Sequence, residues 1–122
     1  GEHRREQGHP FLGRLTGDIK LVGSWSVRLH GQGFHVNHNH PQGWLSSAFY
    51  VSLPPEVGQQ GDAGALTFGS PDENLGLELA PRRVVTPQAG VLAIFPSYVW
   101  HGTVPFQSES TRLTAAFDAL PI

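Results

Sequence analysis

The chain has no cysteine and no methionine among its 122 residues. Without thiols, disulfides and thiolate zinc sites are excluded, and the lack is compatible with a cytoplasmic protein. No apolar run approaches the roughly 20 residues of a membrane-crossing helix, and no charged start leads into an apolar stretch. Neither a membrane partner nor a secretory leader is therefore expected. There is no basic block either. Eight Lys and Arg stand against ten Asp and Glu, a net charge of −2, so no nucleic-acid partner is expected. Long helices are also lacking. The best candidate is the short stretch Asp72–Leu79, which Gly76 weakens. The missing methionine, with Gly1 at the start, gives the expectation of a piece of a longer protein.

What is abundant is punctuation. The chain holds 15 Gly and 10 Pro with no short-period repeat, which points to many turns rather than to collagen or a linker. Between the turns lie short runs rich in β-branched and aromatic residues: Ile19–Val22, Ser24–His30, Phe34–His38, Leu45–Leu53, Ala65–Phe68, Arg83–Thr86, Val91–Phe95, Thr103–Pro105 and Arg112–Leu120. Turns are expected at Gly31–Gly33, Pro41–Gly43, Pro54–Pro55, Gly61–Gly64 and Gln88–Gly90. Many evenly spaced short strands predict an all-β sandwich or barrel. Residues 1–18 are expected to be a flexible lead-in or the end of an upstream segment, and residues 19–122 a single domain. The polar loop Pro54–Gly64 reads equally well as a cover over a site or a tolerated surface excursion.

Seven histidines is a high number for this length, and four of them fall between His30 and His40. On an extended strand, residues two apart share a face. Phe34, Val36, His38 and His40 would then point one way, toward the core, and His35, Asn37 and Asn39 the other. Two inward imidazoles need partners, and a shared metal supplies one, because neutral imidazole nitrogen is the ligand. From the spacing alone, ordinary polar histidines bonded to carbonyls or water at a sheet end are an equal reading. His101, about half the domain further on and flanked by Trp100 and Gly102, adds a third nitrogen. Three protein ligands leave positions open, which marks a catalytic rather than a structural site. Ligand type alone suits Fe, Zn, Cu or Ni.

Arg112 opens the last long run, where it shares a face with Thr114 and Ala116. On the inner face it would be a buried charge in need of an anion, and its planar guanidinium suits a carboxylate. Composition alone favours an exposed strand-edge arginine.

The ordered motifs H-x-H-P-x-G-W-L-S-S-x-F-Y-V (His38 to Val51), G-A-L-T-F-G (Gly64–Gly69), T-P-x-x-G-V-L-x-I-F-P-S (Thr86–Ser97), W-H-G (Trp100–Gly102) and R-L-T-x-x-F-D (Arg112–Asp118) resemble a bacterial family of 2-oxoglutarate/Fe(II) oxygenases, over most of the chain. The resemblance implies a double-stranded β-helix, a jelly-roll or cupin-like barrel. It implies Fe(II) held by His38, His40 and His101, with 2-oxoglutarate as cosubstrate, its distal carboxylate on Arg112. Tyr50 and Thr114 are expected as further cosubstrate contacts, and Trp25, Arg28, Trp44, Tyr98 and Trp100 as candidate pocket lining. The implied reaction consumes O2 and releases succinate and CO2 while hydroxylating a small molecule or a protein side chain. Some relatives carry such a domain after tetratricopeptide repeats. The wider superfamily has H-x-D/E where this chain has His38 and His40, so the metal site carries one negative charge fewer.

Two other readings compete. A cupin-type metal enzyme or sensor without 2-oxoglutarate also uses H-x-H and a distant histidine, and Gly90 to His101 resembles its second motif. The glutamate expected soon after its H-x-H is missing here, and Arg112 has no role in it. A binding module that keeps the barrel without catalysis is the other alternative.

Overall fold

A computed structural model describes residues 5–31, 33–59 and 61–122. The strands are β1 (Ile19–Gly31), β2 (Leu45–Ser52), β3 (Leu66–Phe68), β4 (Arg83–Val85), β5 (Leu92–Pro96), β6 (His101–Thr103) and β7 (Ser108–Pro121). They form a four-stranded sheet, β1-β7-β2-β5, and a three-stranded sheet, β4-β3-β6. Every pairing is antiparallel. This is the jelly-roll, double-stranded β-helix architecture. No helix among the described residues is long and apolar enough to cross a membrane.

Several boundaries differ from the sequence reading for identifiable reasons. Ile19–Val22 and Ser24–His30 are one strand, because Gly23 sits at a register irregularity opposite β7 and not in a turn. Asp72–Leu79 contains only a single 3-10 turn, Glu73–Leu75. The Asp72 carboxylate accepts the Asn74 N–H, and Gly76, at φ 68°, ends the turn in a left-handed conformation. Phe34–His38 does not form a strand. Only His38 makes a bridge, to His101. Freed of strand parity, Phe34 and Val36 stand 50% and 62% exposed, against the expectation that they face the core.

The space between the sheets is unusually polar. Ser46, Thr67, Ser97, His101, Thr103, Arg112 and Thr114 are all buried there or at its margins, beside a short apolar set that includes Tyr50, Leu66 and Phe95. A barrel interior of this composition holds a site rather than a hydrocarbon core. Strand alternation sorts the residues. Ala48 and Tyr50 of β2 line the interior, while Phe49 and Val51 are exposed on the outer face.

The segment before β1 is tied to the barrel. Phe11 stacks on Trp44 at 4.9 Å between ring centroids and meets Tyr98 edge-on at 6.1 Å. The Trp44 indole N–H donates to the Phe11 carbonyl at 3.1 Å. Residues 1–4 of the expected lead-in, Gln32 of the Gly31–Gly33 turn and Gln60 of the Pro54–Gly64 loop lie outside the described residues.

Candidate metal centre

The backbone brings the histidines together before any side chain contributes. The His38 N–H donates to the His101 carbonyl and the His101 N–H to the His38 carbonyl, both at 2.9 Å. The His40 N–H donates to the Ser97 carbonyl at 2.9 Å. Residues 38–40 are thus laid against the β5–β6 turn. The rings follow, with centroids 4.3 Å apart for His38 and His101, 5.1 Å for His38 and His40, and 5.2 Å for His40 and His101. One ligand nitrogen from each lies within 4.8 Å of the others.

The nitrogen available to a metal follows from hydrogen bonding. The Nδ1 of His38 lies 2.8 Å from the Val36 carbonyl and that of His101 lies 3.0 Å from the Val99 carbonyl. The Nδ1 of His40 lies 2.7 Å from Asp118 Oδ2. A carbonyl or a carboxylate only accepts, so each Nδ1 carries a proton, and Nε2 is the nitrogen whose lone pair a neutral ring offers to a metal. His101 is driven further toward this neutral form. Burial, opposed by the Val99 hydrogen bond and reinforced by His38 and His40, lowers its pKa to about 4.

Behind His40 runs a chain of hydroxyls. Asp118 lies opposite Ser46 in the β2–β7 register. The Ser46 hydroxyl donates to Asp118 Oδ1 at 2.7 Å, so the 2.8 Å contact between Ser46 and Ser97 must use the Ser97 proton. Gly43 is needed beside it. A Cβ there would stand 2.5 Å from the Ser97 Oγ.

The other end of the cavity is cationic. Arg112 is 3% exposed and not at an exposed edge. One Nη1–H donates to the Gly64 carbonyl at 3.0 Å, and the Nε–H reaches Thr114 Oγ1 at 3.4 Å. Among the described residues no carboxylate pairs with it. Its guanidinium lies 5.2 Å from the centroid of the Tyr50 ring, and the buried Tyr50 hydroxyl has no hydrogen-bond partner among the described residues. Burial raises the Tyr50 pKa, opposed by Arg112, and lowers that of Arg112, opposed by Tyr50. A buried guanidinium with no carboxylate among the described residues, beside an orphan hydroxyl, suits an acidic ligand.

His38, His40, His101, Arg112, Tyr50 and Thr114 all line one cavity of about 130 Å³. Of the further lining candidates, Trp25 is there, stacked on His40 at 5.8 Å. Arg28, Trp44, Tyr98 and Trp100 are not. Arg28 has the strand parity opposite to Trp25, Trp44 is taken up by Phe11, Tyr98 is 60% exposed in a turn, and Trp100 precedes β6 with its carbonyl bonded to Gly69. Sequence parity placed His35 on the far side, yet it lines the cavity, where burial, then Arg112 and His38, lower its pKa. Asp118 was also missed, although it continues the face of Arg112, Thr114 and Ala116 by one more step of two. A wider surface cleft of about 460 Å³ over Asp72 and Glu73 contains none of the three metal-facing histidines.

Three clustered imidazoles suit a borderline transition metal such as iron, and the Arg112–Tyr50 end suits a small carboxylic acid. Fold and site define a jelly-roll protein with a candidate metal centre beside a buried cationic pocket. Residues 23–118 match the family described as "Putative 2OG-Fe(II) oxygenase", and the chain belongs to that family of 2-oxoglutarate/Fe(II) oxygenases.

Among solved structures, an oxidoreductase of the 2OG-Fe(II) oxygenase family from Burkholderia pseudomallei is similar over 91% of this chain and 49% of its own, with a TM-score of 0.66 and 11% identity. HygX from Streptomyces hygroscopicus, with nickel and 2-oxoglutarate bound, is similar over 84% of this chain and 56% of its own, with a TM-score of 0.59 and 14% identity. EvdMO1 is similar over 85% of this chain and 28% of its own, with a TM-score of 0.59 and 16% identity. At these identities the likeness is one of fold. The chain spans about half the length of the first two of these structures and less of the third. No curated protein matches.

Proposed function

We propose that residues 19–122 form the catalytic unit of an Fe(II)- and 2-oxoglutarate-dependent oxygenase that hydroxylates a substrate outside the cavity. His38, His40 and His101 hold the iron. Arg112 pairs with the distal carboxylate of 2-oxoglutarate, and the Tyr50 and Thr114 hydroxyls bond the same acid. The carrying observation is the burial of Arg112, without an anionic partner among the described residues, in the same cavity as three clustered imidazoles. When bound, iron and cosubstrate supply O2 activation, with release of succinate and CO2. The protein binds, orients and shields them. The cavity, at about 130 Å³, is smaller than the roughly 300–1,000 Å³ of typical small-molecule sites. It suits the cosubstrate and leaves the target, a small molecule or a protein side chain, to approach from the mouth. A cytoplasmic location is part of this reading and is compatible with the absence of cysteine.

The test is anaerobic titration with Fe(II) and then 2-oxoglutarate, followed by an assay for succinate in air. One Fe(II) per chain, 2-oxoglutarate binding that needs the iron, and succinate formation are expected. Iron binding with no affinity for 2-oxoglutarate would replace this proposal with a cupin-type metal enzyme.

A further inference from the structure

The three imidazoles are not held alike. His38 and His101 each give the Nδ1 proton to a neutral carbonyl two residues back in their own segment. His40 gives its proton to a carboxylate on β7, at 2.7 Å. That carboxylate is fixed by its other oxygen through Ser46, which is itself fixed by the completely buried Ser97. Two strands, β2 and β7, and the turn after β5 therefore converge on one imidazole. His40 is also the position at which the resembling oxygenases of the wider superfamily carry Asp or Glu.

A hydrogen bond to an ionised acceptor is shorter and stronger than one to a neutral carbonyl. It leaves more electron density on the distal ring nitrogen and makes it a better ligand. We propose that Asp118 is the positioning residue of this centre: through the Nδ1 proton of His40 it supplies, one hydrogen bond from the metal, the negative charge that the chain lacks at position 40. Histidine and aspartate together thus act as the equivalent of a carboxylate ligand. The Ser46–Ser97 pair keeps the carboxylate aimed. The inference rests on the assignment of His38, His40 and His101 as metal ligands.

The test uses the whole chain and metal alone, so that no turnover is needed. Asp118→Asn keeps the shape and an acceptor for the His40 proton but removes the charge. It is expected to bind one Co(II) or Fe(II) per chain about 10–100-fold more weakly, with a changed Co(II) visible spectrum, while the metal-free protein melts near wild type. Ser46→Ala, which leaves the carboxylate ionised but short of a partner, is expected to show a smaller loss and a smaller spectral change in the same direction. Wild-type affinity and spectrum in Asp118→Asn would overturn the proposal. Should that variant not fold, an unchanged Co(II) spectrum in Ser46→Ala overturns it equally. Wild-type protein that binds no metal, or full stoichiometry in His101→Ala, would instead strike down the ligand assignment and this inference with it.

Discussion

His38 and His101 exchange both of their backbone hydrogen bonds, each at 2.9 Å, and their rings stand 4.3 Å apart between centroids. The main chain alone holds these two candidate ligands together. His101→Ala is therefore expected to keep the fold, because the side chain takes no part in those bonds, and to lose metal. Metal stoichiometry, measured beside the melting curve of the metal-free protein, checks this. A variant that melts like wild type and still binds one metal per chain would contradict it.

Gly102 lies beside that bridge. A Cβ at this position would run into Asn37 Oδ1 and stand 3.1 Å from the His35 carbonyl oxygen. Gly102→Ala must push residues 35–37 away from β6. Overpacking of this kind typically costs about 1–3 kcal/mol, and metal affinity is expected to fall with it. Urea denaturation and a metal titration give the two readings.

Arg112→Lys keeps a positive charge but loses the planar fork and the bond to the Gly64 carbonyl. Affinity for 2-oxoglutarate is expected to fall by at least ~10-fold, while Fe(II) affinity stays within about twofold, since Arg112 is not among the metal-facing ligands. Calorimetry with the iron-loaded protein separates the two. Equal 2-oxoglutarate affinity in wild type and variant would remove Arg112 from the cosubstrate site.

Tyr50→Phe removes a buried hydroxyl that has no partner among the described residues. Leaving such a group unpaired costs about 1–3 kcal/mol. The metal-free variant is therefore expected to be as stable as wild type or more stable by up to about 1 kcal/mol, and yet to bind 2-oxoglutarate several-fold more weakly. Loss of stability without loss of binding would mark Tyr50 as packing alone.

His35 and His101 both have pKa values lowered by burial, His101 to about 4. As pH falls through about 6.5, the unfolded imidazoles take up protons and the folded ones resist. The unfolded chain then binds more protons, so their contribution to stability is present above about pH 6.5 and is lost toward pH 4. At roughly 1.4 kcal/mol per pH unit, the His101 share is no more than about 3.5 kcal/mol. Denaturation of the metal-free protein across this range should show the decline. A flat profile would mean that these rings are not buried neutral.

Much of the site was legible in the chain itself. Alternation and turn residues determined an all-β protein and the inner face shared by Arg112 and Thr114, because parity within a strand is local. The H-x-H pair and His101 were legible as the three histidines that the fold brings together. What only the tertiary structure decided is how those pieces meet. Phe34–His38 reads as a strand, but it makes a single bridge, so its parity fails: Phe34 and Val36 turn outward and His35 turns in. Arg112 is buried because its side chain leaves β7 into the cavity between the two sheets, where it meets the Gly64 carbonyl and the Tyr50 ring. Asp118 reaches His40 because the β2–β7 register sets it opposite Ser46. Register and the pairing of distant strands depend on contacts summed over the whole chain, and no local pattern encodes them.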